Sequence, residues 1–302
     1  MAGVVAVGEC MVELSLTGPN SALIGSAGDT FNTAVYLQRL GRPTAYGTAL
    51  GSGDPFSQAI LARMADEGLS TDLVVRAPGR LPGLYAIQRG PEGERSFYYW
   101  RGEAPAREYL ELVDVGRLRA AMLGAELIYL SAITLAVIGE AGRAVLTPLL
   151  QEAAKAEVAI AFDTNYRGRL WPSDQVARPA IEAAIGASRY LSVGAEDIKA
   201  FNPSADPAEI ARRWAGRGLE VVLRQLDRSV EVMHAGQVET FAPTRAIPVL
   251  DTTGAGDAFN AAYLAARLKG EDVRQAVAAA RRLAAVVVQY PGAIIPRVAM
   301  PD

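Results

Sequence analysis

Histidine, cysteine and lysine are almost missing from this chain of 302 residues. It has one His and one Cys, and of its 30 basic residues only Lys155, Lys199 and Lys269 are lysines, leaving 27 arginines. A single cysteine, Cys10, excludes an intrachain disulfide and a cysteine-rich zinc site. The single histidine, His234, lies in the polar string MHAGQ, which reads as an exposed position near a hairpin. A metal site of several histidines is excluded, and a Ser-His-Asp triad would rest on that one residue. No lysine stands in a G-x-x-x-x-G-K-[ST] string, so a P-loop is excluded. An excess of basic charge is absent too: 33 acidic against 30 basic residues give a formal charge of −3, which argues against nucleic acid or an anionic membrane as partner. The apolar stretch from Ala276 to Val288 is broken by Arg281 and Arg282 and is too short to span a bilayer. The N-terminal MAGVVAVGECMVELS has neither a basic segment nor a long apolar core, so no signal peptide is expected and the cytoplasm is the default. Chemistry must come from carboxylates, arginines, hydroxyls and backbone amides.

Half of the residues are hydrophobic, enough for a substantial core in one large α/β domain or two smaller ones. The first strand is expected at Val4–Val7, followed by helices over about Asp29–Leu40 and Pro55–Glu67. The first of these shows Phe31, Ala34 and Val35 on one face and Gly41 at its end. Between Leu73 and Trp100 the pattern turns to short β-prone pieces, LVV, GLYAIQR and RSFYYW. The last two are separated by the turn GPEG at Gly90–Gly93, so they read as a hairpin. From Val113 onward strand cores at Leu127–Leu130, Val158–Phe162, Tyr190–Val193 and Val221–Leu223 alternate with helical patterns at Val115–Leu123, Gly142–Ala154, Gln175–Ala187 and Ala208–Gly216. Apolar strands alternating with helices predict a mostly parallel sheet covered on both faces. A second hairpin, VEVMHAGQVETF, and two helices complete the chain. The early β-rich element is a candidate lid.

The most informative string is DTTGAGDAFN, Asp251 to Asn260. Gly254 and Gly256 precede a helix expected to run to about Lys269. Residues without Cβ let amides approach a ligand, and the helix N-terminus adds partial positive charge, so together they form an anion hole. An aspartate at that place, Asp257, has two readings. It caps the helix, or it takes the proton of a substrate hydroxyl while amides stabilise a transferring phosphoryl group.

These residues carry a resemblance. DTTGAGDAF is similar to the C-terminal signature of the ribokinase-like (PfkB) carbohydrate kinases, and AGDTFN (Ala27–Asn32) resembles the early Gly-Gly-Asp-type string of that family. The family's fold is an α/β/α three-layer sandwich with a mostly parallel sheet and a β lid. The resemblance implies a single domain over 1–302 with a lid from about 10–26 and 73–104. Within the family, GECMVELS, GDTFNTAVY, RLPGLY, GERSFYYWRGEA, FDTNYRGRLW and YPGAIIPRVAMP resemble the branch acting on 2-keto-3-deoxygluconate, in order along nearly the whole chain. It implies a transferase that uses ATP and Mg²⁺ to phosphorylate the 6-hydroxyl of that sugar acid. Related acceptors (2-keto-3-deoxygalactonate, fructose, ribose) and a non-catalytic sugar-acid sensor are the alternatives.

The resemblance also implies roles. Asp257 is the base, and the amides at Gly254, Ala255, Gly256 and Asp257 form the anion hole. Arg101 and Arg167 take the substrate carboxylate, which guanidinium binds bidentately. Gly28 offers an N–H, and Asp29 and Asn32 contact hydroxyls or order the loop. Tyr85 and Tyr99 pack on the sugar acid from the lid hairpin, or else form lid core. Alternation places Tyr98 and Trp100 on the opposite face from Tyr99. Asn165, Glu196, Arg224, Ser229, Gly254 and Gly256 fall to the nucleotide. Glu196 holds Mg²⁺ through water, or is simply an acidic residue favoured by the helix dipole. The family's Lys-x-Gly-x-x-Gly is replaced here by Arg224-Gln-Leu-Asp-Arg-Ser229, with Leu226 and Ser229 in place of both glycines, and Ala27 replaces the first glycine of the early motif. Lid strands with exposed edges favour a homo-oligomer.

Overall fold

The computed structural model describes residues 3–89, 95–244 and 247–301. In chain order the first part holds β1 (Val4–Val7), β2 (Met11–Gly18), β3 (Ser21–Ala27), α1 (Asp29–Arg39), β4 (Thr44–Ser52), α2 (Pro55–Glu67), β5 (Val74–Pro78), β6 (Leu84–Arg89) and β7 (Arg95–Trp100). The middle holds α3 (Tyr109–Leu112), α4 (Val115–Leu123), β8 (Leu127–Ser131), α5 (Ala132–Val137), α6 (Gly139–Lys155), β9 (Ala159–Asp163), α7 (Asp174–Ala187) and β10 (Tyr190–Gly194). The remainder is α8 (Ala195–Phe201), α9 (Pro207–Ala215), β11 (Glu220–Arg224), β12 (Val230–His234), β13 (Gln237–Phe241), α10 (Ala255–Leu268) and α11 (Val273–Val287). No described helix is long and apolar enough to cross a membrane. The turn read at Gly90–Gly93 lies outside the described residues.

The chain divides into two compact units, Met1–Val5 with Leu118–Ile247, and Ala6–Arg117 with Pro248–Asp302. In the first unit the strands run in the order β13-β12-β11-β10-β9-β8. Strands β8 to β11 are parallel to their neighbours, whereas β12 and β13 return as an antiparallel hairpin. Continuous apolar runs such as Leu127–Leu130 bury both faces, as a parallel sheet under helices requires. His234 ends β12 exposed, as its setting predicts.

The second unit has two β layers of different character. β4 pairs in parallel with β5, and a separate four-stranded sheet has the order β3-β2-β6-β7. β2 and β6 are parallel, while β3 and β7 flank them antiparallel. The segment at Val74–Pro78 therefore belongs with β4 and not with the candidate lid strands. β4 escaped the pattern reading because TAYGTALGS is built of small residues. Gly47 there is needed, since a Cβ would stand 2.6 Å from the Tyr109 phenol oxygen. The expected one-sided α1 is also different: Thr30 through Leu37 are all buried. It packs against α10, itself buried from Ala258 to Ala266, so neither helix keeps a solvent face beside the site.

Candidate active site

The second unit holds the DTTGAGD string. Gly254 adopts φ 73°, a left-handed value that disfavours a side chain, and a Cβ there would stand 2.6 Å from the Ala293 carbonyl oxygen. The loop is shaped by buried Asp251. Its Oδ1 accepts from the Thr253 N–H (2.9 Å) and hydroxyl (2.6 Å), and its Oδ2 accepts from the Gly292 N–H at 2.9 Å. The helix then begins, placing the amides of Ala255, Gly256 and Asp257 at the positive end of its dipole. The cap position belongs to Gly254, so Asp257 stands in the first turn of the helix and not at its cap. Instead its Oδ2 accepts a hydrogen bond from Asn32 Nδ2 at 2.8 Å.

Asn32 therefore orders the carboxylate of Asp257 and reaches back toward Gly28, whose N–H lies 3.4 Å from Asn32 Oδ1. Gly28 opens α1 in extended conformation, where a Cβ would collide with the Glu9 carbonyl oxygen. The glycine is required by close backbone approach, not by a left-handed φ. Asp29 is the first residue of α1 and half-buried. Thr33, which sequence reasoning passed over, donates its hydroxyl to the Asp257 carbonyl at 3.3 Å. The structure thus gathers Gly28, Asn32 and Asp257 around the start of two buried helices.

A row of side chains crosses the small sheet, because Glu13 is opposite Tyr85 and Tyr85 is opposite Tyr99. Tyr85 and Tyr99 stack with centroids 5.6 Å apart, and the Tyr85 hydroxyl donates to Glu13. Burial, reinforced by Glu13, pushes the Tyr85 phenol far above its usual range, so it stays a donor. Both rings pack with Met11 and Ile87, so they are lid core as well as facing residues. Tyr98 and Trp100 are exposed on the other face, 47% and 61%, as alternation predicts. Arg101 pairs with buried Glu9, and its guanidinium lies 5.9 Å from the Tyr99 ring centre. Burial raises the Glu9 carboxyl above its ordinary value, with Arg101 opposing the rise. Glu9 and Glu13 were missed by sequence reasoning. Their signal is two acids four residues apart in an otherwise apolar stretch.

The first unit holds the other candidates. Asn165 follows β9 with φ 20° and is half-buried. Arg167 is half exposed; it donates to the Tyr166 carbonyl at 2.9 Å and lies 3.8 Å from Asp197. Glu196 is exposed at the start of α8. The buried acid beside it, Asp197, accepts from the Thr164 hydroxyl (2.6 Å) and the Tyr166 N–H (3.1 Å), and burial pushes its pKa up against those bonds. Arg224 donates to Asp163 at 3.4 Å. Burial disfavours the Arg224 charge, but Asp163, Asp197 and Glu196 outweigh that and raise its pKa. Leu226 is exposed, and Ser229 gives both its N–H (2.8 Å) and hydroxyl (2.6 Å) to Asp227. The left-handed residue of this turn is Arg228, φ 69°, not either position where the family pattern has glycine.

Comparison with known proteins bears on the family and the fold. The pattern of the pfkB family carbohydrate kinases matches residues 1–300. The chain is 39% identical over 305 aligned positions, 98% of its length and 97% of the relative's, to 2-dehydro-3-deoxygluconokinase of Dickeya dadantii (strain 3937). Among solved structures, 2-dehydro-3-deoxygluconokinase of Thermotoga maritima superposes with a TM-score of 0.84 at 24% identity, covering 97% of this chain and 94% of that one. The fructokinase of Xylella fastidiosa with bound ATP gives 0.83 at 21% identity, covering 100% and 96%. At those identities the structural likeness establishes the fold, a ribokinase-like α/β architecture with a small second sheet. The sequence match over the whole length goes further: the chain belongs to the pfkB family of carbohydrate kinases.

Proposed function

We propose that the chain phosphorylates 2-keto-3-deoxygluconate at its 6-hydroxyl. The observation that carries the catalytic part is Asp257 held by Asn32 at 2.8 Å in the first turn of a helix whose cap is a glycine. The names borne by full-length relatives support the substrate. When bound, ATP supplies the phosphoryl group, and Mg²⁺ offsets the charge of its phosphates. The residues fit such a ligand. The first-turn amides of Ala255, Gly256 and Asp257 are donors suited to phosphate oxygens, and the left-handed Gly254 leads the chain into that turn. Mg²⁺ in phosphate sites keeps waters and needs only one or two carboxylates, a part assigned to Glu196.

Asp257 accepts the proton of the 6-hydroxyl, and the Asn32 amide fixes the receiving carboxylate. The amides at Gly254, Ala255, Gly256 and Asp257 favour the negative charge that develops. Gly28, Asp29 and Asn32 border the sugar, Tyr85 and Tyr99 cover it from the four-stranded sheet acting as lid, and Arg101 takes its carboxylate. In the first unit Arg167 is assigned to acid recognition and Asn165, Glu196, Arg224 and Ser229 to the nucleotide. The exposed apolar face of the lid sheet, with Leu16 and Trp100, favours a homo-oligomer, which sedimentation would test. Use of ATP assigns the protein to the cytoplasm.

Asp257→Asn tests the reading. The expected turnover loss is about 10³-fold, in the range for removal of a general base, with substrate affinity kept within about threefold by titration calorimetry. Turnover close to wild type would remove Asp257 from its role.

A further inference from the structure

Two buried carboxylates of the second unit are paired in opposite styles. Glu67 is saturated. Its Oε1 meets Arg39 Nη2 (2.7 Å) and Arg63 Nη2 (2.9 Å), and its Oε2 meets Arg39 Nε (2.8 Å) and Arg297 Nη2 (2.9 Å). This is how a buried charge is stabilised, by filling both oxygens. Glu9 is more deeply buried, 1% exposed at its side chain, yet among the described residues it is hydrogen-bonded by one side chain, Arg101, through Oε2. Among the described residues its buried Oε1 accepts no hydrogen bond. An arrangement that leaves an oxygen unfilled costs stability, so fold maintenance does not explain it.

The geometry on the arginine side supplies a reason. A guanidinium has five N–H donors in a rigid fork. Arg101 commits Nη2 to Glu9 and rests against the Tyr99 ring; among the described residues it makes no other hydrogen bond. Its side chain is 10% exposed, so the uncommitted donors are held in a nearly dry place where a carboxylate bond is strong. The surrounding glycines make room for this. A Cβ at Gly83 would stand 2.5 Å from Glu9 Oε1 and 3.2 Å from Arg101 Cβ, and a Cβ at Gly28 would collide with the Glu9 carbonyl oxygen. Glu9 thus stands between Arg101 and the backbone of Gly28, two residues already assigned to the sugar acid.

We propose that Glu9 is a positioning residue: by holding Arg101 through one nitrogen it orients the remaining donors toward the substrate carboxylate. The proposal rests on the sugar-acid reading above. It predicts a defect in substrate capture rather than in phosphoryl transfer, because Glu9 acts on the acid end of the substrate and Asp257 on the hydroxyl end.

Steady-state kinetics with 2-keto-3-deoxygluconate and saturating MgATP test it. Glu9→Gln should raise KM about tenfold while kcat stays within about threefold, the size expected for a lost charge-assisted bond. Gly83→Ala, whose Cβ presses hardest on the Glu9 carboxylate and less on Met11 and the Arg101 Cβ, alters no charge; it should give the same split and serves if Glu9→Gln does not fold. Arg101→Met should raise KM at least as much, and the double variant Glu9→Gln/Arg101→Met, which leaves no lone buried charge, should show no KM beyond that of Arg101→Met. An unchanged KM in both Glu9→Gln and Gly83→Ala, a fall in kcat alone, or a further tenfold rise in the double variant would overturn the proposal. Failure of the sugar-acid reading looks different: wild-type enzyme then does not turn over the acid, or Arg101→Met leaves its KM unchanged.

Discussion

Residues 251–254 and 227–229 share one local device, an aspartate whose Oδ1 accepts both the N–H and the hydroxyl of the residue two places on. The distances agree closely: 2.9 and 2.6 Å from Thr253 to Asp251, and 2.8 and 2.6 Å from Ser229 to Asp227. What differs is the surroundings. Asp251 is buried and spends its second oxygen on Gly292, and the left-handed place after it is filled by glycine against Ala293. Asp227 lies in a surface turn, and the left-handed place beside it is filled by arginine. The same hydrogen bonds therefore anchor a loop in one unit and merely close a turn in the other. Local hydrogen bonding shapes a loop; burial makes that shape permanent.

This contrast can be broken in four places, in order of expected effect. Gly254→Ala forces a side chain into both a left-handed φ and a backbone contact, so it should destabilise by about 3 kcal/mol in urea unfolding and abolish turnover. Asp251→Ala should cost about 2 kcal/mol by leaving the half-buried donors of Thr253 and Gly292 without their acceptor, again read from urea midpoints, with a large loss of kcat. Arg228→Gly should move stability the other way, by about 0.5 kcal/mol, since relief of the left-handed arginine slightly exceeds the added chain entropy. Asp227→Asn should leave the midpoint at neutral pH barely changed, because exposed charges contribute little. Asp227→Ala removes the acceptor as Asp251→Ala does; if it were as damaging, the shared hydrogen bonds and not burial would be decisive.

The smallest effect has a pH signature. The Ser229 hydroxyl and N–H hold Asp227 below its ordinary value of 3.8. A lowered acid stabilises the fold above its unfolded pKa, and that contribution is lost as pH falls through the folded value. The difference between wild type and Asp227→Asn should therefore shrink on acidification below about pH 4. A difference that instead grows at low pH would contradict the assigned direction.

The regular elements were legible because their residues announce themselves. Pro55 and Glu67 bound α2 as expected, with Asp54 capping it through the Ser57 N–H. β4 was not legible because small residues and glycine carry no period, and its strand character comes from being wedged between packed neighbours. At the site, the glycine string marked the start of α10, and the aromatic alternation separated Tyr85 and Tyr99 from Tyr98 and Trp100. Glu9 was invisible as a partner of Arg101, since 92 positions separate them and no local pattern links an acid before one strand to an arginine after another.

The sequence alone determined the chemistry available to this protein. With one histidine, one cysteine and three lysines, proton transfer falls to a carboxylate, and anion binding to amides and arginines. It also determined the local shapes, since glycine at 254 and the aspartates at 251 and 227 act on their own neighbours. Tertiary structure decided which groups are held and how firmly: Asn32 on Asp257, Glu9 on Arg101, Asp163 beside Arg224. Those choices depend on burial and on contacts between distant segments, because removal from water raises the cost of an unpaired charge and so makes its partner matter.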